Sequence, residues 1–218
     1  MPDLLLETSF DHCVIGIDEA GRGPWAGPVM ITALWLNPDA YDHLPNNIND
    51  SKKIKPHRRA ILANSLQMPP HLNCTISKDV GDIDRHGIVK TILTGMEEAA
   101  AGVIAQMAKV GISGPTHALV DGPLLPNEMP CASTAVIHGD SRSLSIAGAS
   151  IIAKHSRDLI MQTLDTDWPV YGWRQNNGYG TRQHQQALEK YGISPHHRRS
   201  FAPIKRLVQT TDSVPGHI

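Results

Sequence analysis

The stretch Gly16 to Pro28, GIDEAGRGPWAGP, decides how this chain is read. It is entered through an apolar, β-branched run, Cys13 to Ile17 (CVIGI), which predicts a buried strand. That strand delivers two adjacent carboxylates, Asp18 and Glu19. The chain then turns through Gly21, Arg22, Gly23, Pro24, Gly27 and Pro28. Paired acids at the end of an apolar strand cost free energy unless a cation meets them. Glycines on both sides of Arg22 permit positive φ and close approach of another backbone. The pattern implies a metal site with a backbone clamp beside it, and the combination is far more specific than a surface turn that happens to carry acids.

The same logic recurs downstream. Thr116 to Val120 (THALV) predicts a strand ending on Asp121-Gly122-Pro123, and Ala135 to His138 (AVIH) predicts another ending on Gly139-Asp140. Three acidic strand ends in one α/β domain can converge on one edge of a sheet. Val29 to Leu36 and Asn73 to Ser77 supply two further strands. Asp50-Ser51-Lys52-Lys53 stands just ahead of a helix opened by Pro56, a place where lysines suit phosphate contact. Asp82 to Arg85 leads into a long helix whose apolar stripe (Ile88, Ile92, Met96, Ala99 and Ala100, Val103, Met107) reads as core and which Gly111 stops. Ser145 to Leu164 predicts a helix with Ala, Gly and Ser in its first turns, small enough to lie close on the sheet; Lys154 and Asp158 fall at i,i+4 on it. Tyr171 to Thr181 is a glycine- and aromatic-rich loop, Thr181 caps a last amphipathic helix closed by Gly192, and Pro195 to Lys205 is the densest basic cluster. The first dozen residues read as unremarkable and ordered only by docking.

Composition narrows the class. A chain of 218 residues suits one domain with a full core and a small appendage. No apolar run spans a bilayer and no signal peptide is visible, so a cytoplasmic protein is expected. Three scattered cysteines argue against both a disulfide framework and a structural zinc site. Net charge is near zero, yet Arg142 to Arg206 holds ten Lys or Arg against four Asp or Glu. Aromatics and glycines interleave with those charges, which favours a polyanionic partner.

Taken together, these motifs resemble the type 2 ribonucleases H, the bacterial ribonuclease HII family. The opening run is matched by five more segments in the same order: Asp50 to Lys53, Val120 to Pro123, Gly139 to Asp158, Gly178-Tyr179-Gly180-Thr181 and His197 to Pro203. The resemblance implies an α/β fold, a ribonuclease H-like mixed β-sheet flanked by helices with a helical C-terminal extension. It places the catalytic domain at residues 1–168 and a basic substrate-binding extension at 169–218. It puts the catalytic metal ligands on Asp18, Glu19, Asp121 and Asp140. Gly21, Arg22 and Gly23 match the loop that reads the ribose 2′-hydroxyl, and Tyr179 matches the tyrosine that packs on the sugar at an RNA-to-DNA junction. Lys52, Lys53, Arg198 and Arg199 match phosphate-contacting positions. Three departures stand out: Gly148 where the family usually has alanine, Pro123 after Asp121-Gly122, and Asn176-Asn177 where His-Lys is frequent.

The implied activity is endonucleolytic hydrolysis of the RNA strand of RNA–DNA hybrids and nicking 5′ of ribonucleotides in duplex DNA, leaving 5′-phosphate and 3′-hydroxyl ends. Four carboxylates without Cys or His select Mn²⁺ or Mg²⁺ over zinc. A monomer is expected, since no apolar helix face is left over. A proofreading-type exonuclease also uses four acids on such a sheet, but it opens with Asp-x-Glu. A hybrid-binding module without activity would need the basic third and not the three acidic strand ends.

Overall fold

The computed structural model describes residues 1–212. Its sheet has five strands, β1 (Cys13–Ala20), β2 (Val29–Trp35), β3 (Leu72–Lys78), β4 (Thr116–Asp121) and β5 (Ala132–Val136), in the order β3-β2-β1-β4-β5. β1 runs antiparallel to β2, which follows after a short turn, and parallel to β4, which is reached only by a long crossover. β4 and β5 are parallel. Val14 to Asp18 are buried without a break, as suits a central strand covered on both faces. The helices are α1 (Pro56–Gln67), α2 (Val80–His86), α3 (Ile88–Lys109), α4 (Leu144–Asp167), α5 (Trp173–Asn176), α6 (Arg182–Tyr191) and α7 (Ala202–Asp212).

The chain forms two compact units, each built from separate segments. The first takes Met1–Ala20, Met30–Ser77 and Ile92–Ser156; the second takes Gly21–Val29, Lys78–Thr91 and the residues from Arg157 on.

In the first unit Leu34 of β2 and Leu36 just after it pack against Leu62 and Leu66 of α1 and Ala147, Ile151 and Ile152 of α4. Each such aliphatic side chain contributes roughly 1.5–3 kcal/mol by leaving water. Small residues set the spacing. A Cβ on Gly16 would strike the backbone of Ser145 and Ile146, so the start of α4 lies directly on the strand that carries Asp18. A Cβ on Gly148 would meet Leu34, so the departure from alanine is matched by tight packing on β2. The N-terminal segment does more than dock. Asp3 bridges to Ser143 and its carbonyl accepts from Leu144 N–H at 3.0 Å. The buried Glu7 carboxylate accepts from the Ser145 N–H at 2.8 Å and from the Ser143 and Ser145 hydroxyls. It thus satisfies donors at the start of α4, which follows Asp140 by a few residues.

In the second unit Ala26, Met161, Tyr171, Trp173, Leu188 and Ile204 form the core, with Tyr171 and Trp173 stacked at 5.0 Å. The Thr181 hydroxyl accepts from His184 N–H at the start of α6, and Gly192 ends that helix.

Three local expectations shift. β5 lies at Ala132–Val136, so it starts before AVIH and takes in only its first two residues, because His138 takes a left-handed conformation (φ +56°) and turns the chain into Gly139-Asp140. Gly87 (φ +78°) separates α2 from α3 where the sequence reads as one lead-in. The loop from Tyr171 contains the short helix α5.

Candidate active site

The acidic cluster belongs to the first unit. Ile17 of β1 pairs with Val120 of β4, so Asp18 and Asp121 are the next residues along two neighbouring parallel strands. Asp18 is buried at 5% exposure. Its Oδ1 accepts from the Glu19 N–H at 2.6 Å, and its carboxylate also accepts from the Ser150 hydroxyl. Ser150 lies 3.0 Å from the Ser51 hydroxyl, and Arg59 donates to the Ser51 carbonyl at 2.7 Å. The serine of Asp50-Ser51-Lys52-Lys53 is therefore linked to the first acid through one hydroxyl. Nothing in the sequence ties Ser51 to Ser150, since neither residue type marks a site alone.

Asp121 closes β4, and its Oδ1 accepts from the Gly139 N–H at 2.7 Å. That bond draws in the turn whose next residue is Asp140. Burial, with the charges of Glu19 and Asp121, holds the Asp18 carboxyl well above its usual range. Burial also raises Asp140, with Asp50 and Asp121 adding to it while Lys52 and Lys53 oppose it. Asp121 thus acts on both Asp18 and Asp140, which links the acids that follow three strands. Glu19 is half-buried and follows Asp18 within β1, and its charge is the largest contribution to the rise at Asp18 after burial. Among the described residues no three His, Cys, Asp or Glu side chains form a ready-made metal cage. The structure instead gathers mutually repelling carboxylates, whose hard oxygens fit a divalent cation that would offset their repulsion.

Lys52 and Lys53 are exposed beside this cluster, with Lys53 Nζ 3.8 Å from Asp50. Asp50 also receives the Lys52 N–H at 2.9 Å and so shapes that turn.

The second unit holds the glycine-framed loop. Gly21 has φ +106°, which an L-residue avoids, and a Cβ there would strike the Arg157 side chain. Gly23 is open except toward the Tyr179 ring, 3.6 Å from where its Cβ would be. Arg22, Gly23 and, at 48%, Tyr179 are exposed, so the loop and the tyrosine share a surface. The loop is stitched down by Trp25 N–H to the Gly178 carbonyl (2.8 Å), Gly27 N–H to His196 (2.9 Å) and Arg198 N–H to Trp25 (2.8 Å). Arg198 does not present its guanidinium at the surface, where the sequence places it. It is fully buried, with its donors taken by loop carbonyls. Arg199 is exposed, and its N–H donates to Asp84 at 3.0 Å.

A buried histidine network holds Tyr179 in place. The Ser194 N–H donates to His197 Nδ1 at 2.9 Å, so the proton of a neutral His197 sits on Nε2, which meets His184 Nε2 at 2.9 Å. Trp173 Nε1 donates to that same His184 nitrogen, which leaves His184 Nδ1–H to donate to the Tyr179 carbonyl at 3.0 Å. Protonating either ring would set N–H against N–H. Burial, then the neighbouring His184, pushes His197 down to about 3, and burial lowers His184 as well. The folded pKa lies below the unfolded one. Stability from neutral His197 is therefore complete above about pH 6.5 and is lost as pH falls toward 3. At pH 5 the loss is about 2 kcal/mol for one imidazole. Melting curves from pH 7.5 to 5 should show wild type losing more stability than His197→Gln. Parallel pH profiles would contradict the neutral network. The raised Asp18 and Asp140 act in the opposite sense in both proteins and cancel in the comparison.

A model of the family Ribonuclease HII matches residues 15–204. The ribonuclease HII of Ruegeria sp. (strain TM1040) is 43% identical over 211 residues, covering 95% of this chain and 87% of that protein. That of Rhodospirillum rubrum is 41% identical over 219 residues, covering 100% of this chain and 96% of that one. Among solved structures, the ribonuclease H2 from Pyrococcus horikoshii OT3 shares the fold at a TM-score of 0.77 and 21% identity, covering 92% of this chain and 99% of that chain. The ribonuclease HIII designated Bst, in complex with Mn²⁺, shares it at 0.71 and 17%, covering 96% of this chain and 74% of that chain. A mixed five-stranded sheet with acidic strand ends defines the ribonuclease H-like fold that these structures share. More particularly, the chain belongs to the ribonuclease HII family, whose members are metal-dependent endonucleases. Among the described residues no helix is long and apolar enough to cross a membrane.

Proposed function

We propose that this endoribonuclease, which acts on RNA–DNA hybrids, uses Asp18, Glu19, Asp121 and Asp140 to hold its divalent metal and reads the sugar through Gly21, Arg22, Gly23 and Tyr179. The observation that carries the first half is the cluster of repelling acids at the ends of β1, β4 and β5. When bound there, Mn²⁺ or Mg²⁺ supplies Lewis acidity for the attacking water and the leaving 3′-oxygen. The residues themselves do the rest. Ser150 and the Glu19 amide hold the Asp18 carboxylate in one orientation, and the Gly139 amide does the same for Asp121. Lys52, Lys53 and Arg199, all exposed, are suited to phosphate contact.

The second half rests on the shared surface of Gly23 and Tyr179. A 2′-hydroxyl both donates and accepts, so backbone groups at close range can tell ribose from deoxyribose, and an aromatic face tolerates any base. The reading extends to nicking duplex DNA on the 5′ side of one embedded ribonucleotide, to a monomer, to a cytoplasmic setting, and to residues 1–168 as the catalytic part with 169–218 as a substrate-binding extension. Tyr179→Ala is the test. Cutting at a single ribonucleotide should fall roughly ten- to a hundredfold in kcat, with KM changed much less, because the ring positions the junction. Equal losses in kcat/KM and in binding would count against positioning. Cleavage by wild type only within runs of several ribonucleotides would overturn the junction reading.

A further inference from the structure

Behind the loop 21–28 lie two buried arginines whose hydrogen bonds go to backbone carbonyls. Arg157, 1% exposed, donates to Pro28 (2.9 Å), Ala26 (3.1 Å) and Asn177 (3.0 Å). Arg198, fully buried, donates to Gly27 (2.9 Å), Arg22 (3.1 Å), Gly21 (2.6 Å) and Pro28 (3.1 Å). Asp84 is close enough to favour the charge on Arg198, yet its oxygens accept from the N–H groups of Arg199 and Ser200 and from the Ser200 hydroxyl. The Phe201 ring lies 5.1 Å from the Arg198 guanidinium and fixes its plane.

This is a costly way to brace a loop. Burial pushes Arg157 down to about 10, and burial together with repulsion from Arg157 pushes Arg198 down to about 9. Both remain charged near neutral pH, and charges out of water are expensive. Neutral donors would hold carbonyls more cheaply, so the charge itself has a use. Peptide planarity shows what that use is. A trans peptide carries its C=O and N–H on opposite sides, so the carbonyls of Gly21 and Arg22 fix the amides of Arg22 and Gly23. With both carbonyls turned onto the buried guanidinium, those two N–H groups are aimed the other way, and the residues that carry them, Arg22 and Gly23, are exposed. A charge-assisted bond to the carbonyl also polarises the peptide and makes its N–H a stronger donor.

We propose that Arg198 is a positioning residue for sugar discrimination: by taking the carbonyls of Gly21 and Arg22, it aims and strengthens the Arg22 and Gly23 amides that read the 2′-hydroxyl. The inference rests on the assignment of Gly21 to Gly23 to the ribose. It differs from a phosphate contact, because the guanidinium never meets the substrate.

The test is binding in EDTA, by fluorescence anisotropy, of two duplexes that differ only in one ribonucleotide replacing a deoxyribonucleotide. Wild type should prefer the ribonucleotide by about tenfold, the worth of one well-made hydrogen bond. A ratio of one would overturn the assignment of the loop to the ribose before any variant is made. In Arg198→Lys, which keeps the charge but cannot fork to four carbonyls, the ratio should fall toward one while affinity for the all-DNA duplex stays within about twofold. A lower melting temperature with an unchanged ratio would overturn the inference and leave a plain brace. Both affinities falling together would overturn it in favour of a phosphate contact. If Arg198→Lys melts below the assay temperature, Phe201→Leu frees the guanidinium plane and should lower the ratio about threefold; an unchanged ratio there also overturns the inference.

Discussion

Replacing Asp18 or Asp121 by asparagine should abolish hybrid cleavage while leaving the melting temperature unchanged or higher. The two effects have one cause. Asp18 is buried, and its carboxyl is held up by burial and by the charges of Glu19 and Asp121. Without metal, that repulsion is a cost of folding, and a neutral amide of the same shape removes it. With metal, the same negative oxygens are the ligands, and an amide is a poor substitute. Several kcal/mol of transition-state stabilisation depend on the bound ion, which corresponds to a loss on the order of a thousandfold or more. Cleavage at saturating Mg²⁺ and Mn²⁺, read beside thermal melting, decides it. Near-normal turnover in either variant would remove that residue from the metal site.

The second large effect separates Asp140 from Asp158, the two aspartates between Gly139 and Asp158. Asp140 follows the amide that binds Asp121, and its carboxyl feels both Asp121 and Asp50. Asp158 lies well inside α4, half-buried, where its charge favours the ionised form of Arg157. Asp140→Asn should therefore lower turnover severely, on the order of a hundredfold or more, with little change in melting temperature. Asp158→Asn should lower the melting temperature and keep most of the rate per folded molecule, because it removes the charge beside a buried guanidinium. The reverse pattern would assign the metal role to Asp158.

Much of this was legible in the sequence, for a physical reason. A buried strand must be apolar, so the run before Asp18 and the run before Asp121 both announce their acids. Pro56 and Thr181 mark helix starts by local chemistry, and the structure places α1 and α6 there. What escaped is long-range. Glu7 binds Ser143 and Ser145 across 136 and 138 residues, and nothing near Glu7 in the chain hints at a partner. Arg198 reads as one more basic residue in a basic cluster, because its partners are carbonyls that every residue carries. The twelve histidines give no metal spacing, and two of them prove to be a buried neutral pair that ends on Tyr179.

The most direct measurement uses a covalently closed circular duplex DNA containing one ribonucleotide, incubated with the purified protein and either Mn²⁺ or EDTA. With metal, each circle should acquire a single nick on the 5′ side of the ribonucleotide, leaving a 3′-hydroxyl and a 5′-phosphate. With EDTA, or with Asp18→Asn, the circle should stay closed. A circle that resists wild type plus Mn²⁺, while the linearised duplex is degraded from its ends, would contradict the account.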